Sequence, residues 1–451
     1  MNEIRILSAS GQLGYGIPIE ALRHGVAAAP HLIGADMGST DLGPFYLGSG
    51  RFAATQAGIK RDLGLVLEAG ATAGVPVVIG SVGTAGARPH LDATLSLVQE
   101  VITERALRFS SIAVIPADIE TQYAKDALAA CRVKPCRHVP PLTLADLDAT
   151  SHLVGQMGPE PIMEALAAGA DLVIAGRACD TAIFAALPLL EGFDKGLAIH
   201  MAKIIECTSL CTEPGGRDAI MAHLSKDHFV LDPQNPSLRC TPTSVAAHAL
   251  YEQDDPFVIV EPGGYVDVSC ARYVAIDDRR VEVSGSSWVD LPYSIKLEGA
   301  GFVGHRCIAL VGISDPILID KLNLAFGHIN ELVPQLLPES LSTETFDLRF
   351  RAYGRNAVLG ALEPNQDPPA EVGLMIEVIG SSSEIAEVVC SLARYNLLHY
   401  FYPGILATGG NLALPFTPTE VMAAPAYRFT VYHLLEGADP SALFPIEYRN
   451  S

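Results

Sequence analysis

Carboxylates in places where backbone turns sharply are the residues of this chain best suited to chemistry. The segment GADMGSTD (34–41) carries Asp36 and Asp41, with the hydroxyls of Ser39 and Thr40 between them. Glu206 follows in the segment IIEC, and Glu261 opens Glu261-Pro262-Gly263-Gly264. A carboxylate placed beside a substrate can take or give a proton, or hold a divalent cation. Each also has a plainer reading: Asp41 or Thr40 can cap a helix or close a turn, and either glutamate can be a hydrogen-bonded surface group. Arg177 and Asp180 of GRACD (176–180) form a second constellation, in which Arg177 could clamp a carboxylate with two parallel hydrogen bonds or pair with Asp180 or Asp36. Cys179 between them lacks an adjacent base and reads as a packed thiol.

Glycine-rich stretches supply a different chemistry. Gly80, Gly83 and Gly86 fall within seven residues, with Ser81 and Thr84 among them. Glycines there let the backbone approach a ligand and expose N–H donors, and a helix beginning after Pro89 would point its positive end at the same place. Ser8 and Ser10 stand in SASGQLGYG (8–16), where an anion contact is plausible. Gly409, Gly410 and Asn411 of TGGN (408–411) offer backbone donors and an amide for a carboxylate or an oxyanion. Neither glycine cluster near the N-terminus has the G-x-G-x-x-G spacing, and no GK[ST] follows, so NAD is not expected and a nucleotide phosphate loop is excluded. The histidines form no HxH or HExxH, and Cys207 and Cys211 alone do not make a structural zinc site. A divalent metal held by carboxylates stays open as a cofactor.

The elements that must position these groups show in the apolar pattern. Short runs at 4–7, 31–33, 76–79, 112–115 and 172–175 each stop at glycine, serine, proline or aspartate. Runs without polar alternation suit strands buried on both faces of a parallel sheet, whose ligand crevice lies beyond the carboxyl ends of its strands. Helical spacing over 52–74, 91–107, 120–131 and 159–169 alternates with them. The pattern predicts an open, mostly parallel α/β sheet with flanking helices over residues 1–213. A mixed region with antiparallel strands is expected over 214–345, with one helix at 315–332, and an α+β C-terminal region over 346–451.

Bulk properties narrow the class. The chain has 451 residues, 49% of them hydrophobic and 18% charged, with a net charge of −21. Such a charge argues against nucleic acid or an anionic membrane as partner, while leaving room for an anionic substrate held by local groups. No apolar stretch reaches the roughly 18–20 residues of a membrane span, and residues 1–5 lack the form of a signal peptide. Nine scattered cysteines without a CxxC fit a cytoplasmic protein with reduced thiols.

The order of motifs resembles the acyclic terpene utilisation protein A family. The likeness is carried by GPEPIMEALAAGADLVIAGRACDTA (158–182), IIEC (204–207), TGGNLALPFTPTEV (408–421) and YRFTVYHLLE (427–436). GADMGSTDLGPFYLGSG (34–50) and IGSVGTAGA (79–87) look like one branch of it. The resemblance implies catabolism of carboxylic acids through acyl-CoA intermediates, and a small separate protein subunit as partner. The polar, glycine-rich motifs point away from a terpene substrate.

Together these readings predict a lyase or a hydratase/isomerase acting on a small carboxylate or its CoA thioester. Asp36 or Asp41, then Glu206 or Glu261, would move the proton beside the carboxyl or thioester group. Arg177 and the backbone around 80–86 and 409–411 would hold its oxygens. A homo-oligomer is the default for a metabolic enzyme of this size. The rival reading is a non-catalytic or co-catalytic subunit, active only with a small partner protein.

Overall fold

The computed structural model describes residues 2–365, 367–405 and 409–449. The chain forms two compact units: one holds the residues up to Gly301 together with those from Phe429, the other Phe302–Arg428. The divisions near 213 and 345 drawn from the sequence do not coincide with this partition.

All five apolar runs are strands of one sheet in the first unit. Ile4–Ser10, Leu32–Asp36, Val77–Gly80, Leu172–Ala175 and Ile112–Ile115 lie side by side in that order, each parallel to its neighbour. Their lack of polar alternation has a direct cause, since successive strand side chains point to opposite faces and both faces are covered. Ile33, Ala35, Val77, Ile79, Leu172 and Ile174 enter one core, with Leu22 of the Ile19–Ala27 helix, Leu63 and Leu67 of Gln56–Ala73, and Val98 of Arg88–Glu104. Leu32, Val78, Ala113, Ile115, Val173 and Ala175 enter the other, with Ile162 of Glu160–Ala167, Phe184 of Asp180–Leu190 and Ile199 of Lys195–Ile205.

Antiparallel strands extend this sheet at both ends. Ile220–Leu224 pairs with Ile4–Ser10, followed outward by His228–Pro233, Val281–Ser284 and Arg272–Ala275. At the far edge Glu447–Arg449 pairs with Ile112–Ile115, and nearby Phe444 is almost fully buried in the core. A separate three-stranded sheet, Val258–Glu261, Gly264–Asp267 and Ser287–Asp290, carries Glu261. The predicted runs at 295–297 and 307–311 are parts of one 20-residue strand, Ser294–Ile313. Within the first unit its residues Leu297–Ala300 pair antiparallel with His152–Gly155, a strand the sequence pattern did not flag.

The second unit is α+β. His305–Ile313 pairs with Val372–Gly380, which pairs with Phe346–Tyr353, all antiparallel. The helices Leu322–Leu332 and Ser383–Leu398 place Ala325, Ile329, Val389 and Ala393 in its core. The predicted single helix at 315–332 is two, Pro316–Asp320 and Leu322–Leu332, separated at Lys321. Asp315 caps the first by accepting from the N–H groups of Ile317 and Leu318.

Candidate active site

Beyond the carboxyl ends of the parallel strands, two loops press so closely that side chains are excluded between them. A Cβ on Gly86 would lie 2.0 Å from the nitrogen of Arg177, and Gly86 has φ +67°. This contact fixes the start of the segment that follows Leu172–Ala175. Arg177 turns inward there and is 3% exposed. Its Nε donates to Glu298 Oε2 at 2.8 Å, and its Nη1 to Ser81 Oγ at 3.1 Å and the Ala178 carbonyl at 3.3 Å. Asp180 Oδ1 is 3.7 Å from the same Nη1.

Glu298 has no exposed surface and also accepts from Thr40 Oγ1 at 2.9 Å and Lys296 Nζ at 2.8 Å. Burial opposes its charge, but Arg177 and Lys296 outweigh burial and hold the carboxyl down at about 2. Arg177, Glu298 and Lys296 therefore form an ionic chain, buried at Arg177 and Glu298 and half-buried at Lys296, which also lies over the Tyr432 ring at 4.9 Å.

Other carboxyls nearby are shifted the opposite way. Asp36 ends the Leu32–Asp36 strand, is 5% exposed, and has no hydrogen-bond partner for Oδ1. Burial, and next the charge of Asp180, push its pKa well above the usual carboxylate range. Asp180 begins the Asp180–Leu190 helix; burial raises its pKa against the pull of Arg177 and Lys203, and its buried Oδ1 lacks a hydrogen-bond partner. Glu206, at the end of Lys195–Ile205, accepts from Lys203 Nζ at 2.6 Å, yet burial carries its pKa up to about 8. Glu261 accepts from Thr181 Oγ1 at 2.7 Å, and burial lifts it to about 7. The charge of Asp180 acts on Asp36, Glu206 and Glu261 alike, which makes Asp180 the hub of the group.

The remaining sequence-predicted residues divide by place. Ser8 lies in the first strand with a buried Oγ that has no partner. Ser10 accepts from the Gln12 N–H. Ser81, at φ +47°, donates to the Ala178 carbonyl and serves Arg177. Thr84 accepts from the Ala53 N–H, and Gly80 lies in a strand opposite Asp36. Several donors of the expected anion cradle at 80–86 are engaged within the protein: the N–H groups of Ser81, Val82 and Gly86 bond the carbonyls of Gly176, Ala175 and Val82, and the Gly83 N–H faces Met37 Sδ. These donors lock the loop to its neighbours. Arg177 is likewise no free clamp, because Nε and Nη1 are already committed. Asp41 is exposed, and Ser39 Oγ donates to it in a local turn at 2.9 Å. Gly409, Gly410 and Asn411 belong to the second unit, where Asn411 Nδ2 donates to the Leu397 and Tyr400 carbonyls. Thr408 lies outside the described residues. Burial raises the Cys179 thiol pKa, so it is a packed thiol rather than a nucleophile.

Lys203, Lys296, Glu298 and Thr181 were missed in the sequence. Lys296 and Glu298 did leave a signal: charges two apart in an apolar strand share one face. Among the described residues no group of three or more His, Cys, Asp or Glu side chains is placed to hold a metal ion, so these carboxyls do not form a metal-binding set.

The profile of the acyclic terpene utilisation family protein AtuA matches residues 58–427. The chain belongs to this family. The AtuA match takes in Arg177, Asp180, Glu206, Glu261 and Glu298, whereas Ser8 and Asp36 precede it. No curated protein and no solved structure matches the chain. Among the described residues, no helix is long and apolar enough to cross a membrane.

Proposed function

We propose that this member of the AtuA family is an acid–base enzyme, a lyase or a hydratase/isomerase, that moves a proton beside the carboxyl or thioester group of a small acid. The observation that carries this reading is a set of three buried oxygens without hydrogen-bond partners, Ser8 Oγ, Asp36 Oδ1 and Asp180 Oδ1. Asp36 ends its strand, Asp180 follows the end of Leu172–Ala175, and Ser8 lies two residues before the end of Ile4–Ser10, on the side of the sheet where ligands of open α/β folds bind. Buried polar groups are ordinarily paired, and a substrate in the crevice would pair these.

Two carboxyls with separated protonation are what proton transfer at carbon requires. Asp36, whose burial beside Asp180 favours the protonated form, serves as donor. Glu206 titrates near the pH at which a metabolic enzyme works and serves as acceptor. Lys203, 2.6 Å from Glu206, places positive charge where an enolate oxygen would develop. Glu298 and Arg177 act as positioning residues: they hold the loop that presents Asp180. The thiols, none of them in a disulfide, fit the cytoplasm as the site of action.

The test is exchange of the α-proton in D2O, followed by NMR, across small carboxylates and their CoA thioesters. Exchange that is lost in Glu206→Gln and Asp36→Asn supports the reading; exchange untouched by both overturns it. A second reading is a subunit active only with a small protein partner. It is favoured by the exposed apolar side chains of Leu324, Val358 and Leu362 in the second unit. Activity seen only after mixing with such a partner, and mapping to the partner's residues, would select it.

A further inference from the structure

The segment after the first strand walls a small cavity that the proton-transfer reading leaves unused. Its volume is about 160 Å³, and its lining includes Ser10, Gln12, Tyr15, Cys207, Thr208 and Arg217. Arg217 is exposed and, among the described residues, has no counter-ion or hydrogen-bond partner for its side chain. The adjacent carboxylate makes no ion pair with it; Asp218 Oδ1 instead accepts from Asn235 Nδ2 at 3.1 Å. In a chain of net charge −21, an arginine without a partner in the lining of a cavity that also carries hydroxyls is a site for an anion.

The cavity is tied to the proposed proton acceptor by covalent neighbours. Cys207 is in its wall and Glu206 is the preceding residue, so the two Cα atoms are about 3.8 Å apart. A Cβ at Gly11 would come within 2.7 Å of the Glu206 carbonyl oxygen, which shows how tightly the first-strand loop lies on this peptide. Thr208 holds φ +56°, an unfavourable conformation for a β-branched residue, in the same wall. On the other side, Ser10 pairs with Ala35, next to Asp36.

We propose that this cavity receives a second anionic group of the substrate, so that the enzyme acts on a short dicarboxylic acid or a derivative keeping one free carboxylate. Arg217 donates to that carboxylate, with hydroxyls of the wall completing its shell. The inference rests on the acid–base reading for the reacting end of the substrate, and the place of Cys207 next to Glu206 in the chain favours a short substrate.

The test is calorimetric titration of the full chain with malonate, succinate and glutarate against acetate, propionate and butyrate. The wild type is expected to prefer a dicarboxylate by roughly tenfold or more, as for one charge-assisted hydrogen-bonded pair. Arg217→Gln, a surface change whose fold is checked by circular dichroism, is expected to erase that preference and leave monocarboxylate binding unchanged. A wild type without the preference, or an Arg217→Gln variant that keeps it, overturns the proposal. The two readings separate through Glu206→Gln. If that variant still exchanges the α-proton while Arg217→Gln loses the preference, the acid–base reading fails and the cavity assignment stands; the reverse pattern sinks the cavity alone.

Discussion

Arg177 and Glu298, 121 residues apart, meet at 2.8 Å with 3% and 0% of their side chains exposed. An ion pair so enclosed depends on its hydrogen bonds, and Glu298 depends on Arg177 and Lys296 to stay charged. Glu298 also links Thr40 after the second strand to Lys296 on the strand Ser294–Ile313. The pair thus joins three distant segments around the carboxyl cluster.

Glu298→Gln removes the negative charge between the buried Arg177 and the half-buried Lys296. We expect a loss of about 3–5 kcal/mol, the usual cost of breaking a buried pair from one side. Urea unfolding should show a lower midpoint at unchanged slope. A midpoint within error of the wild type would mean that the ionic chain is not structural.

Stability should fall as pH rises across the neutral range. Glu206 moves from its ordinary 4.5 to about 8 in the fold, and Glu261 from 4.5 to about 7. Both bind protons more tightly when folded, so their contribution is complete below about 4.5 and is lost as pH climbs through about 7 and about 8. Glu206→Gln keeps the neutral form at every pH and should flatten the upper part of this slope. Thermal denaturation from pH 5 to pH 9 reads it directly, and an identical slope in the variant would contradict the shift.

If Glu206 accepts the proton, kcat/KM should rise with pH and level off above about 8. Replacement by Gln should lower kcat by roughly 10²–10⁴-fold, the range for a lost general base. A variant that retains both the rate and the pH profile would remove Glu206 from the mechanism.

Two glycines of like backbone conformation distinguish strain from crowding. Gly74 has φ +66° and open space around a notional Cβ, whereas Gly86 has φ +67° and the Arg177 nitrogen 2.0 Å away. Gly74→Ala should cost about 1–2 kcal/mol from the left-handed backbone alone. Gly86→Ala should cost about 1–3 kcal/mol more through forced separation of the loops. Equal midpoints in denaturant would show that the loop contact is slack.

The parallel sheet was legible because burial on two faces leaves an unbroken apolar run, as in Ile112–Ile115 and Leu172–Ala175. The crevice followed, since each run ended in a residue able to turn the chain. The allocation of roles within it was less legible. Arg177 looks like a ligand clamp by type, yet its partner Glu298 comes from a distant strand that no local spacing reveals. The N–H groups at 80–86 are donors in any sequence, and only the packed loops decide that those of Ser81, Val82 and Gly86 face carbonyls rather than a substrate. Asp36 and Asp41 are alike as residue types and five positions apart; that one is buried and the other exposed follows from where the second strand ends. His152–Gly155 is as long as Ile112–Ile115 but was hidden because its half-buried histidine and terminal glycine leave only Leu153 and Val154 as an apolar signal, and it gains its place by pairing with Leu297–Ala300.

The pairing of Glu447–Arg449 with Ile112–Ile115 sets an order in time. A ribosome releases the five parallel strands long before it releases the strand that closes their outer edge. Until then Ile112–Ile115 presents open backbone groups to any passing chain, and the place of Phe444 in the core stands empty. The second unit, Phe302–Arg428, is made in that interval. Completion of the first unit is therefore a later event of synthesis than that of its five parallel strands, and the nascent sheet is aggregation-prone while its edge waits for Glu447–Arg449.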